Sequence, residues 1–120
     1  MKILNLTRHA ATAEQLEAGV YEPWEENKPK IKKLLTFDNL PSAEEIAVRA
    51  NHLCFLACIE TSFANLKDKN TTKAVMLGGA PFLMSALEKE LKGAGIKVVY
   101  ALDGNIKKTS AFKHKGFVQV

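Results

Sequence analysis

Two short stretches of the chain carry groups suited to chemistry. The first is Thr7-Arg8-His9-Ala10-Ala11-Thr12, with a guanidinium, an imidazole and two hydroxyls within six residues. A guanidinium presents a planar fork of donors that fits phosphate. An imidazole serves as general acid or base near neutral pH. The second stretch is Gly78-Gly79-Ala80-Pro81, where missing β-carbons let backbone N–H groups come close to a ligand. Arg8 and His9 are therefore the catalytic candidates, and Thr7, Thr12, Gly78, Gly79 and Ala80 the ligand-binding candidates. The Gly78-Gly79 pair matches neither the G-x-G-x-x-G dinucleotide pattern nor the phosphate-binding G-x-x-x-x-G-K-[ST] pattern.

Other readings stay open for several of these groups. His9 also suits a loop histidine bonded to backbone, and Arg8 also suits a solvent-facing cation. Asn5 fits either a ligand edge at a strand end or a structural role, and His114, in Lys113-His114-Lys115, reads as a surface strand residue. Tyr100 and Met76 read as core. Cys54 and Cys58 are four apart and share a helix face. They form neither a zinc pattern nor a disulfide framework, even with His52 nearby. No metal and no cofactor are expected.

The elements that must position these groups follow from periodicity and punctuation. Lys2–Leu6 reads as a buried strand, and Thr12 and Gln15 have capping-box spacing for a short helix from Ala13 that Gly19 ends. Residues 20–41 are the least patterned; Lys30–Leu35 suggests helical turns and Leu34–Phe37 a short strand. Ser42 and Glu45 repeat the capping-box spacing before a long helix. That helix has two apolar stripes, Ile46, Ala50, Leu53 and Ala57, and Val48, Phe55, Ile59 and Phe63, so it is expected to be buried on two sides, the second against another copy of the chain. After a polar loop at 67–72, Ala74–Leu77 reads as a strand, and Pro81 suits the first turn of a helix that Gly93 or Gly95 stops. Ile96–Leu102 is a strand, Asp103-Gly104 a hairpin turn signal, and Ile106–Phe112 and Gly116–Val120 further strands. The alternation predicts a single α/β domain over residues 1–120, a Rossmann-like, mostly parallel sheet flanked by helices, with a C-terminal antiparallel β-hairpin. If the first strand and Ala74–Leu77 are neighbours, the two loops face each other at the strands' carboxyl ends, where such sheets bind ligands.

The chain has 120 residues, 47% of them apolar and 25% charged, within the range of ordinary globular domains. Residues 1–60 hold 7 basic and 9 acidic side chains, and residues 61–120 hold 10 and 4, so the basic charge lies in the second half. A basic half suits an anionic ligand. One Trp and no ladder of aromatics among basic residues argue against a dedicated nucleic-acid surface. No apolar run approaches the about 20 residues of a membrane span. Free cysteines and a strand-like N-terminus lead to an expected cytoplasmic location.

Two family resemblances add to this. Leu6-Thr7-Arg8-His9-Ala10-Ala11-Thr12 after a strand resembles the first motif of the histidine phosphatase superfamily, in which the histidine takes the phosphoryl group and the arginine holds it. Val75-Met76-Leu77-Gly78-Gly79-Ala80-Pro81 resembles that family's second motif, but Gly79 stands where its second histidine belongs. More of the chain, namely Ile3-Leu4-Asn5-Leu6-Thr7, His9, Thr12-Ala13-Glu14-Gln15-Leu16 and the Gly-Gly-Ala-Pro loop, is similar to small CRISPR-associated proteins of the CARF and ring-nuclease type. A likeness to a family of uncharacterised bacterial proteins is also noted, with a longer connection expected between Leu102 and Gly104. The ring-nuclease likeness implies a Rossmann-like homodimer that binds or cleaves cyclic oligoadenylates without a metal, with Arg8 stabilising charge and His9 as acid or base. The expected ligand is thus a nucleotide, a phosphorylated small molecule or a cyclic oligonucleotide. Both a degenerate phosphatase and a non-catalytic dimeric binding protein remain as alternatives.

Overall fold

Four residues, Ile3–Leu6, form the first strand (β1), and all four are buried. Such a strand must be covered on both faces, which places it inside a parallel sheet. The computed structural model describes residues 2–66, 72–106 and 111–120; the side chains of 103–106 and 111–115 lie outside that description, and His114 with them. The elements after β1 are α1 (Ala13–Glu17), β2 (Val20–Tyr21), α2 (Lys28–Leu35), α3 (Ala43–Ala64), β3 (Ala74–Leu77), α4 (Pro81–Gly93), β4 (Lys97–Ile106) and β5 (Ala111–Gln119). The expected loop at 67–72 falls, apart from Thr72, outside the described residues.

The five described strands form one sheet in the order β2-β1-β3-β4-β5. All neighbours run parallel except β4 and β5, which pair antiparallel. The mixed α/β architecture with a C-terminal hairpin is therefore as the sequence predicts. The chain leaves β1 for β2 on one side and later returns to β3 on the other. Strand order thus reverses at β1, and in sheets of this order the crevice over the first and third strands is where ligands bind.

The main core lies on one sheet face. Leu4, Leu6, Val75, Leu77 and Val98 pack there against Ile31 and Leu35 of α2, Leu53 and Ala57 of α3, and Leu83, Leu87 and Leu91 of α4. A smaller cluster, Ile3, Val20, Ala74, Met76 and Val99, fills the opposite face, with Ala11 and Phe117 packed against it.

Three helix ends behave as their sequences predict. Thr12 and Gln15 form a reciprocal capping box, and Gly19, at φ 107°, follows the α1 C-cap. At the end of α4, Gly95 N–H donates to Lys92 O and Ile96 N–H to Leu91 O, with Gly95 at φ 78°. This is a Schellman closure, and only a residue at ease with positive φ completes it cheaply.

Several expectations are corrected. The box at Ser42 is only half made: its hydroxyl accepts from Glu45 N–H, while the Glu45 carboxylate pairs with Arg49 at 2.8 Å. Leu34–Phe37 is not a strand. Leu34 and Leu35 are the last turn of α2, and the Arg49 guanidinium donates to Thr36 O at 2.6 Å and lies 4.1 Å from the Phe37 ring centroid. Asp103-Gly104 is not a turn either. Both residues continue β4, paired with His114 and Lys113, and a register shift at Leu102/Asp103 leaves one extra residue on β5. The local turn preference yields because β5 is long enough to carry the ladder past it. For the same reason no longer connection separates Leu102 from Gly104; of the expected strand 106–112, Ile106 ends β4, Ala111 and Phe112 open β5 and 107–110 lie outside the described residues, while the expected strand 116–120 is the end of β5 and Val120. The second α3 stripe, expected to be covered by another copy of the chain, is not a correction: in the single chain Val48, Phe55 and Phe63 are exposed and Ile59 is half-buried. Among the described residues, no helix is long and apolar enough to cross a membrane.

Cys54 faces the core and Cys58 only partly, and both are free thiols. Burial first, then Cys58 beside it, pushes the Cys54 thiol from 9.0 up to about 11. Burial, then the Glu60 charge, raises Tyr21 from 10.0 to about 12. Each folded pKa is raised, so the stability that these neutral groups contribute is complete below the unfolded value. It is lost as pH rises through the folded one. The expected result is a melting temperature that declines between pH 9 and 12, with Cys54→Ala reducing the first part of the decline. Thiol labelling at pH 8 should modify Cys58 well before Cys54; equal rates would show that the burial of Cys54 does not protect it.

Candidate functional site

Asn5 builds the first loop. Its side chain is buried in β1 and all its hydrogen-bonding capacity is used. The amide donates to His9 O and to Glu22 Oε1, each at 2.9 Å. Its oxygen accepts from Thr7 N–H at 3.1 Å and Thr7 Oγ1 at 2.7 Å. The Thr7 N–H can only donate, so it fixes which end of the amide is oxygen. Glu22 Oε1 also accepts from Ala11 N–H at 2.8 Å, closing the far side of the loop. Asn5 therefore shapes the loop and offers nothing to a ligand. Glu22, which follows the two-residue β2, was missed in the sequence, where nothing marks it as the partner of a residue 17 positions earlier.

The two loops meet as expected. β1 pairs with β3 in parallel, Leu6 opposite Leu77, so both loops leave the same sheet edge. A β-carbon on Gly78 would stand 3.5 Å from Thr7 Cγ2, in ordinary contact, and one on Gly79 would meet the Met84 methyl at 3.2 Å. Between the loops lies a cleft of about 430 Å³, at the small end of ligand pockets. Thr7, Arg8, His9, Thr12, Gly78 and Gly79 all line it. Ala80 lies just beyond, in a neighbouring hollow with Arg8, Phe37 and Phe82. A third hollow joins Arg8 and His9 to Lys28 and Lys32. Arg8 borders all three.

The side chains differ in how far they are already committed. The Thr7 hydroxyl is engaged with Asn5 Oδ1 and the His9 carbonyl, and the Thr12 hydroxyl caps α1. The His9 carbonyl accepts from Asn5 Nδ2 and Thr7 Oγ1, so its backbone is held. Among the described residues, however, neither its imidazole nor the Arg8 guanidinium has a hydrogen-bond or ion-pair partner. Both are exposed. On the second loop, Pro81 opens α4, and no side chain caps that helix.

Tyr100 and Met76, read as core, also wall the cleft. The Tyr100 hydroxyl donates to Glu88 Oε2 at 2.6 Å, and burial together with that carboxylate holds it protonated far above its ordinary range. Among the described residues no carboxylate lines the cleft, and no three His, Cys, Asp or Glu side chains gather where a metal could sit.

Neither the curated proteins nor the solved structures contain a match to this sequence. One family model matches residues 1–118, nearly the whole chain, and the chain therefore belongs to the uncharacterized protein MJ1673 family.

Proposed function

We propose that this protein binds a phosphorylated ligand of nucleotide size in the cleft over β1 and β3. The observation that carries the reading is the Arg8 guanidinium, without a partner among the described residues, at the junction of three adjoining hollows where strand order reverses. Lys28 and Lys32 add positive charge on one side. The glycines bring backbone close on the other, ahead of an α4 N-terminus that favours anions. Arg8 holds the phosphate, and Tyr100 and Met76 wall the space beyond it.

The same geometry favours binding over turnover. A histidine that attacks or shuttles protons needs a group to orient it, and none of the described side chains does so for His9. Gly79 also removes the second histidine of a phosphatase-like mechanism. Release of p-nitrophenol from p-nitrophenyl phosphate, lost in His9→Ala, would reverse this preference.

A cyclic oligoadenylate exceeds the space of one such cleft and requires two copies of the chain. The exposed Val48 and Phe55 on α3 offer an apolar surface for that pairing. A solution mass of one chain at working concentration would remove the macrocycle and leave mononucleotides. The test of the binding reading is a thermal-shift screen of mononucleotides, dinucleotides, sugar phosphates and cyclic oligoadenylates. At a ligand concentration 100 times Kd, stabilisation of about 2.7 kcal/mol is expected. No response to any of them would overturn the reading.

A further inference from the structure

Another hollow lies away from the cleft and its two neighbours, where β2 meets the C-terminal half of α3. It has about 330 Å³ and is lined by Tyr21, Glu22, Trp24, Glu60, Phe63 and Ala64. Its floor is unusual. Glu60 is only 2% exposed, and carboxylates are rarely buried that deeply without a partner for each oxygen. One oxygen, Oε2, accepts from Trp24 N–H at 2.9 Å and from Asn27 Nδ2 at 3.0 Å. Among the described residues the other, Oε1, accepts nothing, and no ion pair reaches Glu60. The Lys2 ammonium donates to Ala64 O at 3.1 Å. The walls are aromatic: Trp24 and Phe63 stand edge to face with centroids 5.0 Å apart, and both remain exposed.

A buried carboxylate oxygen without a donor, under an aromatic mouth, selects its occupant by chemistry. An anion is repelled. A neutral apolar group leaves the oxygen unpaired, which is costly. A divalent cation needs several oxygen ligands, and among the described residues no three His, Cys, Asp or Glu side chains gather to hold one. A primary ammonium brings three donors and a positive charge, and its alkyl stem packs on the rings. We propose that this hollow is a binding site for a primary alkylammonium group, carried by a free amine or by a lysine side chain, with Glu60 Oε1 as its acceptor and Trp24 and Phe63 as its walls.

Trp24 is the only tryptophan of the chain, so its fluorescence reports on this hollow directly. Titration with n-butylammonium chloride should give a saturable change in emission that n-butanol and sodium chloride do not. Tetramethylammonium, which has no N–H, should bind at least fivefold more weakly. A blocked lysine, Nα-acetyl-lysine amide, binding more tightly than n-butylammonium would identify a peptide side chain as the source; the reverse order would identify a free amine. Phe63→Ala, an exposed position whose loss leaves the core intact, should weaken n-butylammonium at least fivefold. Glu60→Gln, checked for folding by circular dichroism, should abolish the preference for n-butylammonium over n-butanol. An emission change that does not saturate, one that n-butanol reproduces, or equal affinity for tetramethylammonium would each overturn the proposal.

Discussion

Asn5→Asp should destabilise the protein by about 3–5 kcal/mol at pH 7, the usual cost of an uncompensated buried charge. The substitution keeps the shape of the side chain and changes two donors into an acceptor. The new oxygen would stand about 2.9 Å from both the His9 carbonyl and Glu22 Oε1, where the amide now donates. Two carboxylates that close cannot both stay ionised without penalty, so the pair takes up a proton more readily when folded than when unfolded. Its folded pKa is raised. The stabilising, protonated form is therefore present at low pH and lost as pH rises, and the variant should regain stability on acidification towards pH 5. Asn5→Ala, which removes four hydrogen bonds and adds no charge, should cost about 2–3 kcal/mol with little dependence on pH. Urea denaturation at pH 5 and pH 7 tests both. A loss of less than 1 kcal/mol in Asn5→Asp at pH 7 would mean that the Asn5–Glu22 bond does not hold the loop.

The Asn5 network also shows where the sequence stops being informative. The two facing loops were legible because each is announced locally, by a buried strand before it and by a capping box or a proline after it. β2 was not, because two residues carry no periodicity, and without β2 neither the reversal of strand order at β1 nor the role of Glu22 is visible. The misread Asp103-Gly104 turn has the same origin. A dipeptide states a local preference, while the pairing that overrides it comes from residues that lie nine and eleven positions further on. The α3 stripe is a related case. Two apolar faces were legible, but only one finds a partner within the chain, and a hydrophobic pattern does not say which. The hollow under Trp24 depends on Glu60 meeting Trp24 and Asn27 more than 30 residues away, and no spacing rule connects them.

Arg8→Ala should separate binding from folding most sharply. Arg8 is exposed and makes no hydrogen bond or ion pair among the described residues, so its removal should change stability by less than about 0.5 kcal/mol. If it holds a phosphate, the same change removes charge-assisted hydrogen bonds worth about 1.5–3 kcal/mol, or about a 10- to 150-fold loss of affinity for the best ligand of the thermal-shift screen. Arg8→Lys should recover part of that loss, because an ammonium keeps the charge but not the bidentate fork. The arginine's share should also shrink with added salt, since its site is open to solvent. Asn5→Asp provides the complementary case, in which Arg8 is present but the loop that carries it is released. Calorimetric titration of the three variants distinguishes the outcomes. Equal affinity in wild type and Arg8→Ala would remove the guanidinium from the site, and anion binding would then fall to the glycine loop, the α4 N-terminus and the neighbouring Lys28 and Lys32.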